Sequence, residues 1–326
     1  MPTSLKFIDL FCGIGGFRIA FEDACNEHGI KSDCVFSSDI DKFAQDSYEA
    51  NFGERPSGDI TKIDERDIPD HDILFAGFPC QAFSIIGLRG GFDDTRGTLF
   101  FDVARIIKEK KPKAFILENV KQLRGHDKGR TLKTILNTLQ EIGYEVYFKV
   151  LNALDYGLPQ KRERIVIVGH KDPILFEFPL KIENYKPLVD ILESESEIDP
   201  KFLASEYIQN KRLGAHISSY SPAIWHENKS GNISSYPYSC ALRAGASYNY
   251  LLVDGKRRLT PREMLRLQGF PDHYKIVVTD SQLRKQAGNS VPVNMIKAVC
   301  LKLLPFITES LEPSMIIREP EPSYNH

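Results

Sequence analysis

The first half of the chain alternates short apolar runs with longer amphipathic ones, and few folds accommodate that rhythm. The short runs fall at 7–10, 34–37, 73–76, 114–117, 146–151 and 165–168, and amphipathic stretches at 17–28, 42–52, 99–110 and 131–142 lie between them. The short runs are near-continuous Ile, Val, Phe and Leu, the pattern of strands buried on both faces. Strands of that kind separated by helices predict an α/β protein with a doubly wound, mostly parallel sheet.

The rhythm breaks near residue 172. From there to about residue 254 the sequence is rich in Ser, Tyr, Asn, Gly and Pro, so a smaller, irregular second domain is expected over 173–257. Helix signals return at Thr260, where Thr-Pro-Arg-Glu supplies an N-cap, a proline at the first helical position and a glutamate that closes a capping box, with Gly269 as the stop. We read 1–172 as the main domain and 258–287 as a hinge and return segment. Residues 288–312 hold a last helix that begins near Pro292 and completes the main domain, and 313–326 form an unstructured tail. A chain of 326 residues has room for two domains of ~150 residues each.

No apolar run approaches the ~20 residues of a membrane helix, and residues 1–6 lack the charged-then-apolar order of a signal peptide, so a cytoplasmic protein without membrane contact is expected. The six cysteines (12, 25, 34, 80, 240 and 300) show no Cys-x-x-Cys spacing and no neighbouring His pairs, which predicts reduced thiols and no metal site. Net charge is −2, but unevenly spread: residues 39–72 carry 11 acidic and 4 basic side chains, residues 243–285 carry 9 basic and 4 acidic. The basic stretch could face phosphates, and a solvated charged surface reads the same way.

The first apolar run leads directly into Phe11-Cys12-Gly13-Ile14-Gly15-Gly16 and then a helix, which puts a glycine turn at the carboxyl end of the first strand. Doubly wound sheets bind ligands there. Gly13, Gly15 and Gly16 would let the backbone approach a nucleoside, and Asp39, at the end of the second strand, is placed to accept both ribose hydroxyls. A plain tight turn would use the same glycines. Asp59 is a second carboxylate that could reach the adenine edge or the amino-acid part of a cofactor, or simply stand on an exposed loop.

At the end of the third strand lies Gly77-Phe78-Pro79-Cys80-Gln81-Ala82-Phe83-Ser84, which sets a cysteine on the same sheet edge as the glycine turn. A thiol in a proline turn ahead of a glycine-rich loop is a better nucleophile candidate than one in a core. Together with this segment, Phe-Ile-Asp-Leu-Phe-x-Gly-x-Gly-Gly, Glu118-Asn119-Val120, Gln160-Lys161-Arg162-Glu163-Arg164, Arg258-Leu-Thr-Pro-Arg-Glu and Gly288-Asn289-Ser290-Val291 resemble the ordered motifs of the cytosine-C5 DNA methyltransferases, of the HhaI-type bacterial modification methylases, over residues 7–169 and 258–293.

The resemblance implies a Rossmann-like methyltransferase that binds S-adenosylmethionine and methylates cytosine in double-stranded DNA, flipping the base from the stack. It assigns Cys80 as the nucleophile that adds to C6 and Glu118 as the group that hydrogen-bonds or protonates ring N3. Arg162 and Arg164 alternate along a strand, so both would face the cytosine carbonyl and a phosphate, with Lys161 and Glu163 outward. Asn289, near the start of the last helix, would close over the methionine part of the cofactor, and Phe11, Ile14, Ile40, Ile60 and Leu99 would enclose the adenine.

By the same resemblance, residues 81–98 form a lid whose Gln81, Ser84, Arg89 and Arg96 meet DNA, and 173–257 form the target-recognition domain, with Arg243, Lys256, Arg257 and Arg258 as groove or phosphate contacts. The implied molecule is a monomer, with a cognate restriction endonuclease as genetic partner. Two positions depart from the family: Ala241-Leu242 stands where Thr-Leu is common, and Ile86 where close relatives carry serine. An RNA-directed enzyme of the same fold is the alternative, although the Cys-Phe-Thr signature of the transfer-RNA cytosine methyltransferases is missing. A noncatalytic DNA-binding module would not need the intact cysteine, glutamate and arginines, and a nicotinamide oxidoreductase would need a complete pyrophosphate-binding glycine pattern.

Overall fold

The computed structural model describes residues 4–79 and 99–308 of the chain. Its first half follows the strand-helix rhythm: β1 (Leu5–Leu10), α1 (Gly16–Glu27), β2 (Ser32–Ser38), α2 (Lys42–Phe52), β3 (Ile73–Ala76), α3 (Leu99–Lys110), β4 (Ala114–Val120), α4 (Arg130–Glu141) and β5 (Glu145–Asn152). A two-residue strand β6 (Gln160–Lys161) and β7 (Glu163–His170) close this part. The large sheet has the order β2-β1-β3-β4-β7-β5.

Within it, β2, β1, β3 and β4 pair in parallel, whereas β7 runs antiparallel to both β4 and β5. The mostly parallel sheet is therefore as expected, and its one reversed strand was not legible, because a run buried on both faces reads identically in either direction. Two cores cover the sheet. On one face, side chains of β1, β3, α1 and a long final helix pack together, among them Phe7, Phe21, Phe75, Met295, Ile296 and Leu303. On the other, Ile8, Leu10, Leu74 and Leu117 meet α3 and α4.

The second half is less irregular than its composition predicts. It contains α5 (Glu206–Ala215) and an antiparallel sheet in the order β11-β8-β9, built from β8 (Ile224–Glu227), β9 (Ile233–Tyr236) and β11 (Leu251–Val253). A short strand β10 (Ser239–Cys240) pairs with β6 of the main body. Between the two halves, residues 172–186 run back along the large sheet. Tyr147 and Tyr156 donate their hydroxyls to Ile174 and Pro179, and the N–H groups of Ile182 and Lys186 donate to the carbonyls of Asp155 and Gly157.

The capping box forms as the motif predicts: the Thr260 hydroxyl accepts from the Glu263 N–H, and Glu263 accepts from the Thr260 N–H at 2.8 Å, opening α6 (Pro261–Leu267). Gly269, at φ 85°, stands just past its end. A further helix, α7 (Asp280–Asn289), escaped the sequence reading, because it buries only Leu283, Gln286, Ala287 and Gly288 and so lacks an apolar stripe. The last helix, α8 (Val293–Ile307), starts beside Pro292 as expected. Together α7 and α8 form the one stretch among the described residues that is long and apolar enough to cross a membrane. Pro292 breaks it, and α8 is buried against α1.

One expected DNA contact is an internal brace. Arg257 is buried, its guanidinium doubly hydrogen-bonded to Glu263 at 2.9 Å and joined to Glu195 at 2.8 Å, so it cannot reach phosphates. In the sequence it looks like part of a Lys-Arg-Arg surface run. Glu263→Ala would leave this buried cation with Glu195 alone and remove the carboxylate half of the capping box, and we expect a loss of about 3–5 kcal/mol. Urea denaturation at equilibrium measures it, and a midpoint equal to that of the parent would show that the pair is not structural.

Candidate active site

Strand register sets the site. Leu10 pairs with Ser38 and Ala76, and Ala76 pairs with Leu117, so the next residue on each strand, Phe11, Asp39, Gly77 and Glu118, lies in one row along the carboxyl edge. The strand order reverses between β1 and β3, the place where open α/β sheets bind ligands.

Phe11 turns the chain at φ 56°, an uncommon backbone state for a bulky residue and one that marks functional turns. The Cys12 N–H donates to Ser38 O, and the Gly13 N–H donates to an Asp39 carboxylate oxygen at 2.8 Å. The other Asp39 oxygen accepts from the Asp41 N–H at 2.8 Å. Burial nonetheless pushes the Asp39 carboxyl above its ordinary value, with these two N–H groups opposing the rise. Gly16 must lack a side chain, because a Cβ would stand 2.8 Å from Val291 and 2.9 Å from the Ser290 hydroxyl.

A cavity of about 580 Å³ opens at this edge, within the range for small-molecule sites. Phe11, Gly13, Gly16, Asp39 and Ile40 line one side, and Asp59, Ile60, Leu99 and Asn289 the other. Ile14 and Gly15 are not among the lining residues: the Ile14 side chain is buried in the main core, and a Cβ on Gly15 would strike the Phe52 ring. Asp59 spends one oxygen on Thr61, accepting from its N–H and its hydroxyl, and its other oxygen lies 3.7 Å from Lys62 Nζ. Asn289 ends α7 rather than starting the last helix. Ser38 lines the cavity, and its buried hydroxyl has no hydrogen-bond partner among the described residues. This lining, with a carboxylate at Asp39, apolar walls at Phe11, Ile40, Ile60 and Leu99 and an amide at Asn289, suits the chemistry of S-adenosylmethionine.

Gly77, Phe78 and Pro79 line the same cavity. Cys80, with Gln81, Ser84, Arg89, Arg96 and the remainder of the expected lid, lies outside the described residues, as does the tail. Glu118 faces the cavity from β4 and is buried. The Arg164 Nε stands 2.7 Å from Glu118 Oε1, a diagonal pairing across the β4–β7 ladder. Burial raises the Glu118 carboxyl above its usual range, while Arg164 and Arg162 pull it back.

Arg162 is less available than its alternation with Arg164 suggests. It lines the cavity, but its guanidinium donates to the carbonyls of Leu242 at 2.8 Å, Gly288 at 2.9 Å and Ser290 at 2.7 Å. Burial, with Arg164 beside it, pulls it down to about 9. Lys161 is exposed, and Glu163 is held by Lys121. Among the expected DNA contacts, Arg243 and Lys256 are exposed. Arg258 is half-buried against the carbonyls of Lys201 and Leu203 and the Tyr248 ring.

Residues that escaped the sequence reading hold this edge together. Asn119 donates its side-chain amide to Phe78 O at 2.8 Å and so fixes the strand end that leads to Cys80. Gln286 joins α7 to α2 through Phe43 O and Ser47, and Lys285 pairs with Asp41 at 2.6 Å. The Glu-Asn-Val motif carried a signal for Asn119, and nothing in the sequence marked Gln286.

Because folding raises the Glu118 carboxyl, the folded chain keeps that proton to higher pH than the unfolded chain does. The stability this supplies is complete below the unfolded value and is lost as pH rises through the raised one. Against Glu118→Gln, the parent should therefore lose stability from the ordinary carboxylate range toward neutrality. Denaturation curves of both proteins across that range test this, and parallel pH profiles would refute it.

The sequence matches the C-5 cytosine-specific DNA methylase family over residues 5–304. It is 59% identical to the type II methyltransferase M.NgoBI of Neisseria gonorrhoeae over 304 residues, covering 92% of this chain and 94% of that protein. It is 43% identical to M.HhaI of Haemophilus parahaemolyticus over 319 residues, covering 92% and 94%. Of solved structures, the Entamoeba histolytica methyltransferase EhMeth matches with a TM-score of 0.71 at 19% identity, over 94% of this chain and 98% of that one, a likeness of fold. The chain belongs to the C-5 cytosine-specific DNA methylases, which transfer a methyl group from S-adenosylmethionine to carbon 5 of cytosine in DNA.

Proposed function

We propose that Cys80 is the nucleophile and that Glu118 and Arg164 hold the target ring. The observation that carries this reading is the Glu118–Arg164 pair, which opens on the same cavity as the glycine turn and the Phe78-Pro79 approach to Cys80. The Cys80 thiolate adds to C6 of a flipped cytosine, and the displaced electron pair makes C5 nucleophilic. Glu118 gives a proton or a hydrogen bond to N3 as charge builds there, and Arg164 meets the ring carbonyl. S-adenosylmethionine supplies an electrophilic methyl group when bound. Once C5 holds the methyl and the donor has left as a neutral thioether, a base from solvent would take the C5 proton, any proton lent to N3 returns to Glu118, and the freed C–H electron pair restores the C5–C6 double bond and expels the Cys80 thiolate. Arg162 holds this arrangement in place through its three carbonyls.

Residues 173–257 are the recognition part, with Arg243, Lys256 and the Arg258 edge turned to duplex DNA. Residues 1–172 and 288–312 are the catalytic part, joined through 258–287. The type II relatives support a modification role opposite a cognate restriction endonuclease. We read the protein as a monomer that acts in the cytoplasm.

Incubation with radiolabelled S-adenosylmethionine and genomic DNA, followed by sequencing of modified positions, should map methylated cytosines to one short sequence. Methyl transfer to RNA alone would overturn the reading. A duplex with 5-fluorocytosine at the mapped position should trap a covalent complex with the parent but not with Cys80→Ser, and equal trapping would remove Cys80 as nucleophile. Glu118→Gln should lower kcat by about 10²–10³-fold. Full activity in that variant would dismiss its role at N3.

A further inference from the structure

Leu242 stands at the junction of the two halves, and both of its backbone groups are taken by side chains from one short segment of the main body. Its N–H donates to Gln160 Oε1 at 2.9 Å, and its carbonyl accepts from Arg162 Nη1 at 2.8 Å. Gln160 is fully buried and donates its amide to Leu267 O at 2.9 Å. Arg162 carries the seam on to Gly288 and Ser290, at the end of α7 and the wall of the cofactor cavity. The backbones meet so closely that a Cβ on Gly288 would stand 2.4 Å from Ala244 N and 2.8 Å from the Arg243 carbonyl carbon.

The chemistry on either side of this seam differs. Arg243 follows Leu242 directly and is exposed, its guanidinium over the Tyr250 ring at 4.8 Å, while the Arg243 N–H donates to the Tyr250 hydroxyl at 3.0 Å. On the other side Arg164 lies two residues beyond Arg162 and pairs with Glu118. A five-residue stretch, 160–164, thus grips the base of one group of side chains and contributes to the other. Buried bonds of this kind leave little slack, because a donor or acceptor that loses its partner without reaching water costs about 1–3 kcal/mol.

We propose that Gln160 and Arg162, with the bare Cα of Gly288, are positioning residues for target discrimination: they fix where Arg243 and its neighbours stand relative to Glu118 and Arg164. The inference rests on Arg243 facing DNA, the reading given under Proposed function. A loosened seam lets the recognition loop settle on altered sequences while the target pocket stays intact, so the choice of sequence relaxes.

The test compares the parent, Gln160→Ala, Gly288→Ala and Arg243→Ala as full chains, on a duplex carrying the mapped site and on duplexes with one base pair changed beside the target cytosine. Gln160→Ala and Gly288→Ala should lower the ratio of kcat/KM between mapped and altered duplexes by about tenfold, equivalent to about one buried hydrogen bond. The change should come through KM, and Gln160→Ala, which lies outside the cofactor cavity, should bind S-adenosylhomocysteine as the parent does. A general loss of structure would instead slow both duplexes alike. Should Gly288→Ala not fold, Gln160→Ala decides alone. An unchanged ratio in the seam variants, with a lowered one in Arg243→Ala, overturns the proposal. An unchanged ratio in Arg243→Ala overturns the DNA-facing reading and the proposal with it.

Discussion

A buried guanidinium must be surrounded by acceptors, and Arg162 obtains three of them from two stretches far away in sequence. That single requirement fixes where Leu242, Gly288 and Ser290 stand. The rest of the edge inherits the arrangement. Asn289 lies between two of the gripped carbonyls and is thereby held at the cavity, and Arg164 is delivered opposite Glu118 by the strand that begins beside Arg162. The cofactor wall, the ring-holding pair and the entry to the recognition loop share one anchor.

Two buried acid-base pairs show how setting divides chemistry from structure. Arg257 and Glu263 are sealed, each oxygen and most donors engaged within the protein, and they act as a brace. Glu118 and Arg164 make a similar contact but border open space, so an arriving base can compete for both. The raised Glu118 carboxyl is the electrostatic trace of its burial: the Arg164 and Arg162 guanidiniums do not fully offset removal from water.

Much of this was readable in the sequence, for identifiable reasons. The parallel strands announced themselves by apolar continuity, and glycines in a strand-to-helix turn, a carboxylate one strand over and the Glu-Asn-Val motif fell on the row that the register creates. What escaped reading depends on direction or on distant partners. The reversal of β7 leaves no mark in a doubly buried run. Ile14 lies within the glycine turn yet points into the core, a choice made by Tyr48, Phe52 and Tyr274 packing nearby rather than by the motif. Arg257 resembles a solvated charge until Glu195, 62 residues earlier, folds against it. The helix Asp280–Asn289 buries short and polar side chains, so it carries no periodic apolar signal.

The final helix has a bearing on how the chain is made. Met295, Ile296, Val299 and Leu303 share a core with Phe7, Phe21 and Phe75, so the first strand to be synthesised is roofed by the last helix. A ribosome emits the chain from its amino end, and domains ordinarily fold as they emerge. Here α1 covers only part of one face of the sheet, and the rest waits for α8, nearly three hundred residues after the first strand. The other face, closed by α3 and α4, is complete far earlier. The nascent protein thus passes through a long interval with that face half-roofed, its remaining apolar area needing shelter from other chains until α8 emerges.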